Sequence, residues 1–135
     1  MNDLSLSALP YGSNVFIDSN IFTYHLLGHK KYRNSVKDFL LKVESGIFSG
    51  YINEVIISEV DLGAVTDVLS MRNIQLIPEI NISKVGDYMT KYNLLSADAI
   101  HSVSCKLHGI EHIATNDSDF ERVDFLKLWV PGFDV

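Results

Sequence analysis

The stretch "NVFIDSNIFTYHLL", residues 14–27, changes its periodicity part-way along. "NVFID" is a short apolar run that ends in Asp18. Ile21, Phe22, His25 and Leu26 then recur at helical spacing. The reading is a strand, a turn and a helix, with an acid at the point where the strand stops.

The same alternation continues outward. Tyr32, Val36, Phe39, Leu40 and Val43 recur every three or four residues, and "SG" at 45–46 supplies a stop, which predicts an amphipathic helix. "GYIN" at 50–53 is a short strand candidate. In "EVIISEVDLGAVTDVL", Val55, Ile56, Glu59 and Val60 fit the opening of another helix that Gly63 weakens. "NIQLIPEI" alternates and contains Pro78, so it reads as a strand near an edge. Val85, Tyr88, Met89 and Tyr92 mark a short helix. "LLSADAIHSVSCKLHG" is the clearest helix, with Ser96 as its cap, Ile100, Val103 and Leu107 on one face, and Gly109 at its end. "EHIAT" and "LKLWV" are the last two strand candidates. Strands alternating with helices predict a three-layer α/β/α sandwich around a mainly parallel sheet.

At 135 residues and 47% hydrophobic, the chain is expected to form a single domain, 1–135, with one core and no linker. No apolar run approaches the roughly 20 residues of a membrane span, and "MNDLSLSALPYGSN" lacks a basic start followed by a long apolar stretch. A cytoplasmic protein without a membrane partner is the expectation. The lone Cys105 cannot form an internal disulfide, which agrees with a reducing compartment. Seventeen acids against eleven Lys and Arg give a formal charge of −6, so a broad grip on nucleic acid is not the default. A cation gathered by clustered acids would reverse the local sign.

In a parallel sheet, ligands gather beyond the carboxyl ends of the strands. Asp18 closes the first strand, Glu59 follows "YIN", Asp98 lies in the first turn of its helix, and Asp117 follows "HIAT". Four carboxylates converging on one sheet edge repel unless a cation holds them. Oxygen donors without clustered His or Cys suit magnesium or manganese. Such an ion activates water for attack on a phosphodiester, so the chemistry implied is hydrolysis of a phosphate bond.

"VFIDSNIF", "NEVIISEV", "LLSADAIHSVSCKLHGI" and "IATNDSDFERV" resemble, in order and rough spacing, the four acidic motifs of the PIN-domain family. The resemblance covers nearly the whole chain. It implies a metal-dependent endoribonuclease, VapC-like, many such small prokaryotic proteins being toxins of toxin–antitoxin pairs. By position it makes Asp18, Glu59, Asp98 and Asp117 the metal-binding and catalytic acids, with Mg or Mn as the cation. Glu59 stands six residues after Asn53, the small polar residue that closes the second strand, and is preferred to Glu54. Asp119 is implied as a further ligand, Ser19 and Asn20 as the first acid's small polar neighbours, and Thr115 as a hydroxyl that orders the acids. An RNA substrate, an antitoxin partner and a homodimer are implied too. The stretch between Glu59 and "IQLIPEI" spans about one helix, shorter than the excursion usual in small relatives.

Plainer readings stand beside these. An acid after a strand is often a cap, and one in a first helical turn ordinarily offsets the helix dipole. The five histidines show no metal-ligand spacing and read as surface or packing residues. His101, one turn after Asp98, can face the site, though an ordinary helix position is the commoner case. "HKKYR" at 29–33 is usually a solvated helix start; in a ribonuclease Lys30, Lys31 and Arg33 would bind backbone phosphate, with Tyr32 to stack on a base. The rival functions are a non-catalytic PIN-like binding module and an aspartyl phosphotransfer protein. Against the latter, Asn20 occupies the place where a haloacid-dehalogenase-like phosphatase has its second Asp.

Overall fold

The computed structural model describes residues 3–4, 9–60, 62–78 and 80–132. Six strands form one sheet: β1 (Asp3–Leu4), β2 (Asn14–Ile17), β3 (Ser49–Asn53), β4 (Ile74–Ile77), β5 (His112–Ala114) and β6 (Lys127–Trp129). Their order is β1-β6-β5-β2-β3-β4, and every pairing is parallel. Val15, Phe16 and Ile17 of the central β2 are all fully buried. Successive strand residues point to opposite faces, so both faces of the sheet are covered and the sandwich has three layers.

The sequence reading of alternating elements holds along most of the chain. α1 (Ser19–Leu26) and α2 (Arg33–Glu44) connect β2 to β3 and pack on each other; α5 (Val85–Tyr92) and α6 (Ser96–Leu107) connect β4 to β5 and do the same. The edge position expected for "NIQLIPEI" is found, since β4 pairs only with β3; Glu79 of that stretch lies outside the described residues. The two-residue β1 was not anticipated.

Three details differ. The helix expected over 54–69 is two, α3 (Glu54–Glu59) and α4 (Leu62–Ser70). The break is at Val60 rather than at Gly63, which lies inside α4. Val60 adopts extended backbone, φ −92°, ψ 149°, and its β-branched side chain joins the core. Secondly, Ser96 does not cap α6: Leu95 holds the cap position without a side-chain bond, and Ser96 is the first helical residue. Thirdly, the buried face of α6 is not the Ile100–Val103–Leu107 stripe. Ala99 and the run from His101 to Cys105 are buried, Ile100 is half-buried and Leu107 is exposed. Small side chains let this helix sink into the core, where burial pushes the Cys105 thiol up.

The core is tightly built around β2 and β3. Trp129 stacks on Phe39 with centroids 4.6 Å apart and planes at 17°. Gly50 of β3 is where three neighbours close in: a Cβ there would lie 2.8 Å from Ile17 Cδ1 and 3.2 Å from both Ile74 Cγ1 and Val43 Cγ1.

The strand order reverses direction at β2. From there the chain runs outward to β3 and β4, then returns to β5 on the other side. The crevice at such a switch point, beyond the strand ends, is where open α/β sheets place their ligands.

Candidate active site

Because the strands are parallel, β2, β3 and β5 all end at that edge, and each delivers a polar residue there: Asp18 directly after β2, Asn53 at the end of β3, and Thr115 directly after β5. Asp18 is 6% exposed and caps α1. One of its oxygens accepts the Ser19 backbone N–H at 2.8 Å. The other accepts the Thr115 hydroxyl at 2.7 Å and, more weakly, the Asn20 amide at 3.4 Å. Burial pushes the Asp18 carboxyl up, against the opposing pull of His101, Thr115 and the Ser19 amide.

Thr115 is fully buried, and its hydroxyl faces two acids at once. It donates to Asp18 and accepts the Asp117 backbone N–H at 3.0 Å. Asp117 in turn caps a short 3-10 turn, accepting the Asp119 N–H at 2.9 Å. Arg122 meets Asp119 at 3.2 Å and is itself anchored on the carbonyls of Tyr92 and Asn93. The 115–119 loop is therefore held by the Thr115 and Asp117 side chains, which accept its backbone amides, and by Arg122.

These constraints assemble two adjoining groups. Asp98, Asp117 and Asp119 each offer an oxygen within 4.8 Å of the others, and Asp18, Glu59 and a ring nitrogen of His101 do likewise. Asp98, half-buried in the first turn of α6, joins the groups electrostatically. Burial, the charge of Asp117, a hydrogen bond with Asp117 and the charge of Asp18 together push its carboxyl up to about 7. The crowding thus favours the neutral form of Asp98 where a cation would sit. The donor set is mostly carboxylate oxygen, confined and mutually repelling, and fits a hard divalent ion.

The sequence-predicted acids Asp18, Glu59, Asp98, Asp117 and Asp119 all arrive here. Ser19 acts through its backbone rather than its hydroxyl, whereas Asn20 and Thr115 act through their side chains. Lys30 and Lys31 are exposed in the turn before α2, and Arg33 is exposed as its first residue. What joins that turn to the acids is an aromatic triangle. Tyr24 stacks on Tyr32 at 4.9 Å and packs against His29 at 4.6 Å, and its hydroxyl accepts a hydrogen bond of 3.0 Å from the Asn116 amide. Sequence reasoning passed over Tyr24 and Asn116; His101, the one histidine it marked as able to face the site, is 1% exposed inside it. Its three-residue offset from Asp98 was the available signal.

A family model described as PIN domain matches residues 15–126. The chain belongs to the PIN-domain family. It is 30% identical to ribonuclease VapC2 of Methanocaldococcus jannaschii, over 86% of this chain and 93% of that one. With ribonuclease VapC6 of the same organism the figures are 31%, 86% and 96%. Among solved structures, VapBC2 from Rickettsia felis, bound to a DNA fragment from its promoter, aligns with a TM-score of 0.62 at 14% identity, covering 90% of this chain and 99% of that one. A toxin–antitoxin complex from Klebsiella pneumoniae also gives 0.62, at 23% identity, with 83% and 94% covered. At these identities the structures carry the PIN fold, while the two relatives carry the family across its length.

Proposed function

We propose that this PIN-domain protein is a divalent-metal-dependent endoribonuclease, using Mg²⁺ or Mn²⁺, and the toxin of a toxin–antitoxin pair. The observation that carries the reading is the convergence of five carboxylates at the sheet's switch point, with Thr115 bridging Asp18 to the backbone of Asp117 and crowding that pushes the Asp98 carboxyl up to about 7. Two relatives named ribonucleases, and solved neighbours that include a toxin–antitoxin complex, support it. RNA as substrate, an antitoxin and a second copy of the chain as partners, and the cytoplasm as the place of action belong to the same proposal. No helix among the described residues is long and apolar enough to cross a membrane.

Asp18, Glu59, Asp98, Asp117 and Asp119 would hold the cation. When bound, it supplies positive charge to the scissile phosphate and lowers the pKa of water beside it. The chain's own residues provide the rest. Asp18 presents oxygens fixed by Ser19 and Thr115, which suits a rigid ligand better than a nucleophile that must swing toward phosphorus. Asp98 and Asp117 would hold the cation as carboxylates, and its charge would offset the crowding that raises Asp98. Lys30, Lys31 and Arg33 would contact backbone phosphate, and the Tyr24–Tyr32 face beside Asn116 would offer a surface for a base.

The test is cleavage of a mixed single-stranded RNA by purified protein with Mg²⁺, Mn²⁺ or a chelator, followed by mapping of the product ends. Cleavage that needs the metal, leaves a 3′-hydroxyl and disappears in Asp18→Asn and Asp98→Asn, both folded by circular dichroism, is the expected result. Metal-dependent RNA binding without cleavage would replace it with the non-catalytic module, and an aspartyl-phosphate trapped on Asp18 with phosphotransfer.

A further inference from the structure

His101 lies among the acids, and its ring nitrogens decide whether it can be a ligand. Asn53 caps α3: its side-chain oxygen accepts the Ile56 backbone N–H at 3.1 Å. Only oxygen can accept there, so the amide orientation is fixed by the helix it caps. The Asn53 NH₂ group is thereby turned toward Ser104 Oγ, at 3.3 Å, and His101 Nδ1, at 3.1 Å. A donor facing Nδ1 requires that nitrogen to be the acceptor, which leaves the proton of a neutral ring on Nε2. Nε2 faces Glu59 Oε1 at 3.4 Å. The ring has little freedom to turn, since it packs against Phe16 at 5.2 Å and Phe120 at 6.5 Å.

We infer that His101 is a positioning residue for Glu59, set by Asn53 as the Nε2–H tautomer, and that it stays outside the cation's coordination shell. The inference rests on Glu59 being one of the cation-holding acids. Glu59 is the last residue of a six-residue helix, and its side chain is 38% exposed. A long exposed carboxylate samples many rotamers, and a bound cation must restrict them. The Nε2–H of a buried ring offers Glu59 a fixed donor before any cation arrives. Asn53 therefore acts twice on the same acid, by starting the helix that carries Glu59 and by setting the tautomer of the histidine that meets it. A protonated Nε2 has no lone pair in the ring plane to give to a metal.

The test begins with side-chain ¹⁵N correlation spectra of the full-length protein, with the His101 signals assigned from the His101→Gln variant. Wild type should show Nδ1 bare and Nε2 protonated, unchanged when Mg²⁺ is added to saturation. Asn53→Asp keeps an oxygen for the Ile56 cap but places an acceptor opposite Nδ1, and should move the proton there. Calorimetric Mn²⁺ titration supplies the second readout. His101→Gln retains a donor where Nε2 was and should bind within about threefold of wild type; His101→Asn retains only the Nδ1 side and should bind about ten- to a hundredfold more weakly, the range for lost partners of metal ligands. A bare Nε2, loss of its proton on Mg²⁺ binding, or wild-type affinity in His101→Asn would overturn the inference. The tautomer is read on wild type, so the spectrum decides the matter even where Asn53→Asp or His101→Asn fails to fold. Failure of the functional reading shows separately, as wild type that binds neither ion or cleaves no RNA.

Discussion

The raised carboxyl of Asp98 makes a quantitative prediction about pH. Crowding pushes the Asp98 carboxyl up to about 7, while a cation needs it ionised, so below that value each binding event must expel a proton. With Asp98 as the titrating site, apparent affinity falls by the factor 1 + 10^(pKa − pH), which makes Mn²⁺ binding about tenfold weaker at about pH 6 than at about pH 8. Calorimetry in buffers of different ionisation enthalpy should count about 0.9 protons released per ion at about pH 6 and about 0.1 at about pH 8. Stability of the metal-free protein follows with the opposite sign. Between the unfolded value of 3.8 and the folded value of about 7, the native state binds more protons, so stability falls as pH rises through this window. Added Mg²⁺ should restore it at the alkaline end. Asp98→Asn should flatten both profiles and weaken the ion. Affinity that stays level from about pH 6 to pH 8 in wild type, with no proton released, would refute the crowding argument.

Two further substitutions probe the parts that hold the acids in place. Thr115→Val keeps the shape but removes the donor to Asp18 and the acceptor for the Asp117 amide; Mn²⁺ affinity and RNA cleavage should fall about ten- to a hundredfold, with an added stability loss of about 1–3 kcal/mol from the unpaired amide. Calorimetry, cleavage rates and thermal melts check it, and cleavage close to the wild-type rate would count against the bridging role. Gly50→Ala inserts a methyl 2.8 Å from Ile17 Cδ1 and should cost about 1–3 kcal/mol by overpacking, read from urea unfolding. No measurable loss would mean that Ile17 re-seats.

How much was legible beforehand depended on what each residue contributes to a pattern. β2 and β5 could be read because strands buried on both faces are short apolar runs, and Asp18 stood out as the acid that ends the first and Asp117 as the acid just past the second. The depth of α6 was not legible because, apart from Val103, its buried residues are Ala99, His101, Ser102, Ser104 and Cys105 rather than large aliphatic ones. Periodicity weighs such side chains lightly, yet they are what admits a helix close to a sheet. The break at Val60 and the pairing of β1 depend on contacts distant in sequence, which no local window contains. His101 shows the same limit at the site, since its tautomer follows from Asn53, 48 residues away.

The chain's net charge of −6 looked unsuited to a polyanionic substrate, and the structure changes what that number means. Five of the acids are gathered at one edge of the sheet, with their positions set by a capped helix, a buried hydroxyl and a 3-10 turn. Without a cation the arrangement is unfavourable enough to retain a proton. With one it becomes the place on the molecule where negative charge is best received. Fold stability and phosphate chemistry are thus linked through a single proton. Stabilising the metal-free protein by neutralising Asp98 should therefore weaken the cation it is built to hold, and a variant that gained both stability and affinity would break that link.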